Sequence, residues 1–294
     1  MNQNMNLHPG PLNDEVLYLR DRHRAFHVFT DEENFNRVMM VKRSDRAIWR
    51  LLRDHPVVGR VRHLIDAAGF GGLIDCGYRY VDHSLTTALV ERWRPETHTF
   101  HLPFGEATVT LQDVNVLWGL PIEGAVVSGV DDNLSTADAI ALCRRFLGVT
   151  PTQAQMSGKS VFGTVILDKL KQEFVEAEAT DEECIFRARL ILFFLIGSTL
   201  LPDNNNNRIN VFYLRFLRDL NRTASYSWGS AVLACLYRRL CDATQPDRKA
   251  MTGPMMLLQV WAWERIRCLA PRPPSNRFDY TCPIAARYIS QIPV

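Results

Sequence analysis

The chain has 294 residues, 47% hydrophobic and 22% charged, and its 34 basic and 32 acidic side chains leave a net charge of +2. That balance supplies ample apolar surface for a core and excludes a disordered chain, a collagen-like repeat and a disulfide framework. So small a net charge also excludes a global field that would draw in nucleic acid or an anionic membrane.

The charge is unevenly built. There are 5 lysines against 29 arginines, and arginine's planar fork suits bidentate ion pairs and stacking. Residues 1–101 carry +1, residues 102–204 carry −7 and residues 205–294 carry +8. Such patterning predicts that the acidic middle packs against the basic end. The sharper alternative is that the basic end meets a polyanion. The seven cysteines are odd in number and include no C-x-x-C pair, so they read as small hydrophobes in a reducing compartment.

Residues 1–13 read as a flexible tail rich in Asn and Pro, with neither the basic nor the apolar region of a secretory signal. From Pro56 a helix is predicted through Val57, Val61, Leu64, Ile65 and Ala68, closed by Gly69. Asp82 or Ser84 starts another through Leu85, Leu89 and Trp93, ended by Pro95. Residues 98–110 interrupt the helices. Phe100 and Leu102 alternate with polar neighbours, as do Ala107 and Val109, and Gly105 lies between them, which predicts a small β-hairpin. Thr110 with Asp113 forms a capping box for a helix through Val114 and Trp118, stopped by Gly119.

Ser135 opens a helix that Gly148 closes. Thr180, followed by three acids, opens an apolar helix over 181–200. Its run Leu190–Leu201 is 12 residues long, too short to span a bilayer. Helices are then expected at Ile209–Leu220, Ser227–Asp242 and Pro254–Leu269. After Pro271 the chain is broken by proline and is expected to run over the surface. The predicted fold is therefore mainly α: a single multi-helix domain over residues 14–270 with one hairpin, and a C-terminal extension over 271–294.

The constellations that carry chemistry are incomplete. His23 and His27 are four apart, but Arg24 stands where H-E-x-x-H requires Glu, so a surface or capping role is expected. Ser157–Ser160 (SGKS) resembles the end of a phosphate-binding loop, yet Gln153 replaces the first glycine of that motif. An acid/base pair of Glu106 and Asp113 is conceivable, though capping explains Asp113 better. No cofactor and no metal site is expected. An enzyme remnant would need a pocket near His83, His98, Glu106 or Asp113.

The last third is richer. Arg208, Arg215, Arg218 and Arg222 would form a stripe if one helix covered them, with Arg238 and Arg239 further on. Phe212, Tyr213, Phe216, Trp228, Trp261 and Trp263 are interleaved, a mixture suited to phosphate contact with stacking. Trp261 and Trp263 are two apart, so only one is expected to face the core. The other would lie at a half-buried edge or an interface.

Four blocks then carry a resemblance: ALVERWRPETHTF (Ala88–Phe100), HLPFGEATVTLQDVNVLWGLPIEG (His101–Gly124), YSWGSAVLACLYRRLCDA (Tyr226–Ala243) and GPMMLLQVWAWERI (Gly253–Ile266). Together they resemble the plant mobile domain of the MAINTENANCE OF MERISTEMS-like family, often labelled aminotransferase-like and also found in transposable elements. The resemblance covers roughly residues 10–270. It implies a plant nuclear protein linked to transposon silencing, genome stability and meristem maintenance, with a Ser/Thr phosphatase-like partner. None of the five lysines stands in a context that supports Schiff-base chemistry.

The expectation is thus a non-catalytic protein-interaction module. Phe100, Leu102, Gly105, Thr110, Asp113 and Trp118 form its structural knot. Arg215, Arg218, Arg222, Trp228, Arg238, Arg239, Trp261 and Trp263 form its partner face. Nucleic-acid binding through those arginines is the alternative.

Overall fold

The computed structural model describes residues 17–30, 38–103, 105–128, 133–203, 207–271 and 281–291. The tail expected at 1–13 and residues 272–280 of the proline-broken segment lie outside the described residues. Among the described residues the architecture is mainly α, with three small sheets instead of one hairpin. A two-stranded sheet pairs β1 (Met40–Val41) in parallel with β8 (Ala250–Met251).

The predicted caps set the helix starts. Asp82 accepts from the backbone N–H groups of Ser84 and Leu85 and opens α5 (His83–Arg92). Reciprocal capping boxes open α6 (Leu111–Trp118) at Thr110/Asp113 and α7 (Thr136–Leu147) at Ser135/Asp138. A third, at Thr180/Glu183, opens α9 (Asp181–Leu195). Gly119 and Gly148 end α6 and α7 in the left-handed region, at φ +66° and +64°. Upstream lie α1 (Arg24–Thr30), α2 (Arg46–Asp54), α3 (Gly59–Ala67) and α4 (Gly71–Cys76).

Helix α3 begins at Gly59 and not at Pro56, because its start is fixed from outside. Glu176 Oε1 accepts the Arg60 backbone N–H at 2.6 Å, and Arg60 reaches Asp181 at 2.8 Å. A carboxylate at the helix N-terminus satisfies an otherwise orphaned donor.

The predicted hairpin is present but three-stranded. Trp93–Arg94 (β2) pairs with Thr99–Leu102 (β3), which pairs with Gly105–Ala107 (β4). Phe100 and Leu102 turn inward, and the Trp93 and Trp261 rings pack on Phe100 at 4.9 and 5.1 Å. His98 adopts φ +53° and stacks on Tyr237 of α11 (Trp228–Ala243).

Two helices run through the core. Helix α9 is buried from Leu190 to Leu195 and continues into a π-helical turn, Ile196–Leu200. It packs on α3, α7 and α8 (Gly163–Leu170). Helix α12 (Met255–Arg265) is buried at every position from Met255 to Trp263. It lies on α5 and α6. Trp261 and Trp263 are therefore both inside, because an enclosed helix has no outer face. The expectation of one half-buried edge fails for that reason.

The region expected as one helix, Ile209–Leu220, is instead strand β7 (Arg208–Asn210), a 3-10 segment (Val211–Leu217) and a short helix α10 (Leu220–Thr223). Strand β7 joins β5 (Met156–Ser157) and β6 (Ser160–Phe162) in the third sheet. The SGKS tetrapeptide is the turn between β5 and β6, so it runs on into strand β6 and not into a helix N-terminus that could cradle phosphate. The 3-10 helix Ile284–Gln291 packs on α4 and α6, with Ala285 and Tyr288 buried. The chain after Pro271 thus returns to the core. A buried Arg79 holds it, donating to the Ala285 carbonyl at 2.5 Å.

Candidate functional site

Chemistry-bearing side chains near the hairpin are engaged in holding the fold. His83 Nδ1 accepts the Val41 N–H at 2.8 Å. Glu106 accepts from Thr99 Oγ1 at 3.0 Å. Asp113 closes its capping box and also meets Arg265 at 2.6 Å, tying α6 to α12. His23 is buried and not on the surface. It accepts the Ala25 N–H at Nδ1 and donates from Nε2 to the Trp93 carbonyl. Burial, followed by the nearby Arg94 cation, pushes its pKa down to about 4. Among the described residues no three His, Cys, Asp or Glu side chains gather as a metal site.

The expected union of acidic middle and basic end is largely replaced by other pairs. Glu176 and Asp181 pair with Arg60 of the first third. Arg265 to Asp113 is one ion pair that joins middle and end. Arg239 meets Asp242 in its own helix, and Arg287 meets Glu264. Arg215, Arg218, Arg222 and Arg238 are exposed and make no carboxylate ion pair among the described residues.

Folding brings some of these arginines together. A groove of about 650 Å³ lies between α11, β7, the β5–β6 turn and the end of the π-turn. Lys159, Arg208, Arg238 and Arg239 line it, and Asp203 is the one carboxylate among its described lining residues. Gly197 of the π-turn forms part of its wall and packs so closely on Ile209 of β7 that it leaves no room for a Cβ. Tyr213 and Cys235 also line the groove. Burial pushes the Tyr213 hydroxyl up to about 12 and raises the Cys235 thiol. Burial outweighs Arg239 and Arg238, which pull the thiol the other way. Both groups therefore keep their protons near neutral pH.

Arg215 lies over Phe212 at 5.1 Å and over Phe216 at 5.8 Å. Arg218 lies 5.7 Å from Phe146, whose ring is shared with Arg145 and Arg189 at 5.2 and 5.5 Å. The spacing in the sequence pointed to Arg215 and Arg218. Arg208 belongs to the same predicted stripe, and Lys159 to the SGKS tetrapeptide, but the sequence gives no sign of Arg145 or Arg189, which only the fold brings alongside. Arg222 lies on α10. Trp228, Trp261 and Trp263 are core residues, so they offer no partner face in this structure.

The family model described as "Plant mobile domain" matches residues 69–292, including the returning C-terminal segment. A protein from Arabidopsis thaliana named "Serine/threonine-protein phosphatase 7 long form homolog" is 37% identical over 91% of this chain and 19% of its own length. From the same organism, "Protein MAIN-LIKE 2" is 36% identical over 90% of the chain and 38% of its own. "Protein MAINTENANCE OF MERISTEMS" is 33% identical over 90% of the chain and 53% of its own. The chain thus spans about half or less of the curated relatives it matches. No solved structure matches it.

Proposed function

The chain belongs to the plant mobile domain family, and on that premise we propose that it is a non-catalytic interaction module. It acts in the nucleus in transposon silencing, genome stability and meristem maintenance, alongside a Ser/Thr phosphatase-like protein. The supporting observation is the division of labour among its polar side chains. Those able to do chemistry, His23, His83, Glu106 and Asp113, are tied into caps, a contact within the hairpin and long-range hydrogen bonds. Charge at the surface is left available in the basic last third. The relative named for a phosphatase matches this chain over only 19% of its length. A segment of that kind is suited to bring a partner to a catalytic unit carried elsewhere.

The test mixes the purified chain with a Ser/Thr phosphatase domain of that relative. The expected result is one co-eluting complex at micromolar concentration and no phosphatase turnover by the chain alone. Separate elution, or hydrolysis by the chain alone, defeats the reading. A second capacity, nucleic-acid binding, is favoured by the exposed arginines that lack carboxylate partners. It does not depend on the first.

A further inference from the structure

We propose that the groove and the 3-10 segment beside it form a track for single-stranded nucleic acid. The argument begins with the 3-10 geometry. Side chains three apart eclipse one another, and each residue rises about 2.0 Å. Phe212 and Arg215 therefore stand in one row, about 6 Å apart, and Arg218 follows as the first residue past the 3-10 segment. The row starts in the groove, where Phe212 is a lining residue, and ends at Phe146 of α7.

Along this row cations and rings alternate. Arg208, which lines the groove, lies 5.7 Å from Phe162. Arg215 is seated between Phe212 and Phe216. Arg145, Arg189 and Arg218 converge on Phe146. Arg189 is pinned from behind by two carbonyl acceptors, those of Leu217 at 2.9 Å and Arg218 at 2.6 Å. Three cations around one ring repel each other, and the acids facing Arg189 are Asp219 and Glu182. Neither forms an ion pair with a member of the trio among the described residues. A ligand carrying regularly spaced negative charge removes that repulsion.

The pattern selects the class of ligand. A single phosphorylated side chain needs one converging cluster, whereas this track offers two, joined by Arg215. Arginines and aromatic rings side by side offer stacking partners for unpaired bases, and the groove cations meet the backbone between them. A duplex keeps its bases stacked inside and cannot use those partners. Single-stranded nucleic acid is therefore the occupant, recognised by charge and stacking with little reading of sequence.

The experiment is fluorescence anisotropy of the whole chain with a labelled oligo(dT) of about 20 nucleotides over a range of salt. A matched duplex and a multiply phosphorylated peptide serve as comparison ligands. The expected result is salt-dependent binding of the single strand in preference to both. The double variant Arg215→Gln, Arg218→Gln removes two exposed cations whose rings stay in place. It should bind at least about tenfold more weakly. It should also flatten the plot of log affinity against log salt by about 1.4. Arg53→Gln, on α2, should bind as the parent does. Equal thermal melts of all three proteins exclude misfolding as the cause. No binding of the single strand overturns the proposal. So does equal or tighter binding of the duplex or the phosphopeptide, or a double variant that binds like its parent. None of these results bears on the phosphatase-partner test.

Discussion

Acid should loosen the joint between α1 and the first hairpin strand, and His23 is the reason. Both ring nitrogens are in use: Nδ1 accepts the Ala25 N–H at 3.0 Å, and Nε2 donates to the Trp93 carbonyl at 2.8 Å. A proton added to the ring must sit on Nδ1, where it removes the acceptor that Ala25 needs. It also creates a buried charge 3.3 Å from the Arg94 guanidinium. The folded pKa is about 4, against an ordinary 6.5. The unfolded chain therefore takes up the proton first as the pH falls. The stabilisation is full above about pH 6.5 and is gone below about pH 4. A gap of roughly 2.5 pH units at 1.36 kcal/mol each is about 3 kcal/mol. That is a large share of the 5–15 kcal/mol of a typical domain. The assay is urea unfolding of the parent and of His23→Gln at pH 7 and at pH 4. Carboxylates titrate in both proteins and cancel in the comparison. The stability advantage of the parent should shrink by about 3 kcal/mol on acidification. An advantage unchanged by pH refutes the reasoning.

Further outcomes follow from particular contacts. Thr110→Ala removes the hydroxyl half of the α6 capping box and should cost about 1 kcal/mol, read as a drop of about 2–4 °C in Tm. Gly197→Ala drives a methyl into Ile209 and should cost about 1–3 kcal/mol. Adding Ile209→Ala should make the double variant less unstable than the two single costs predict together, and strict additivity would remove the assigned clash. Arg79→Ala deletes the donor to the Ala285 carbonyl, so hydrogen exchange should speed up across 284–291 and stay slow in α9. Uniform acceleration across both segments would show that Arg79 is a general core residue and not the clasp of that segment.

What could be read from the sequence was local. Thr110 with Asp113, Ser135 ahead of its helix and Thr180 with its acids announce helix starts, because a cap is complete within four residues. Gly119 and Gly148 announce stops for the same reason. The hairpin was legible from the alternation of Phe100 and Leu102. Strand β2 was not, because Trp93 and Arg94 become a strand only when β3 lies beside them. Helix α12 hid which tryptophan is inside, since a helix buried all round has no period to read. The stretch 209–220 misled because apolar and basic residues three and four apart fit an α-helix as well as the strand and 3-10 segment that form. The family was legible in four blocks. The groove was not, because Lys159, Arg208 and Arg238 come from segments with no local relation to each other. The pairing of Arg60 with Glu176 and Asp181 was equally beyond local reading.

The enclosure of α12 sets a timetable for synthesis. Its neighbours α5 and α6 leave the ribosome well before Met255–Trp263 exists, so the slot they form must wait unfilled. At about 5–20 residues per second, the interval between completing α6 and delivering Trp263 is on the order of ten seconds. During that time the nascent chain displays the apolar walls that will later grip nine consecutive buried side chains. A chaperone that shields those walls, or a slower tempo of translation past them, would act on the yield of this protein without touching its final stability.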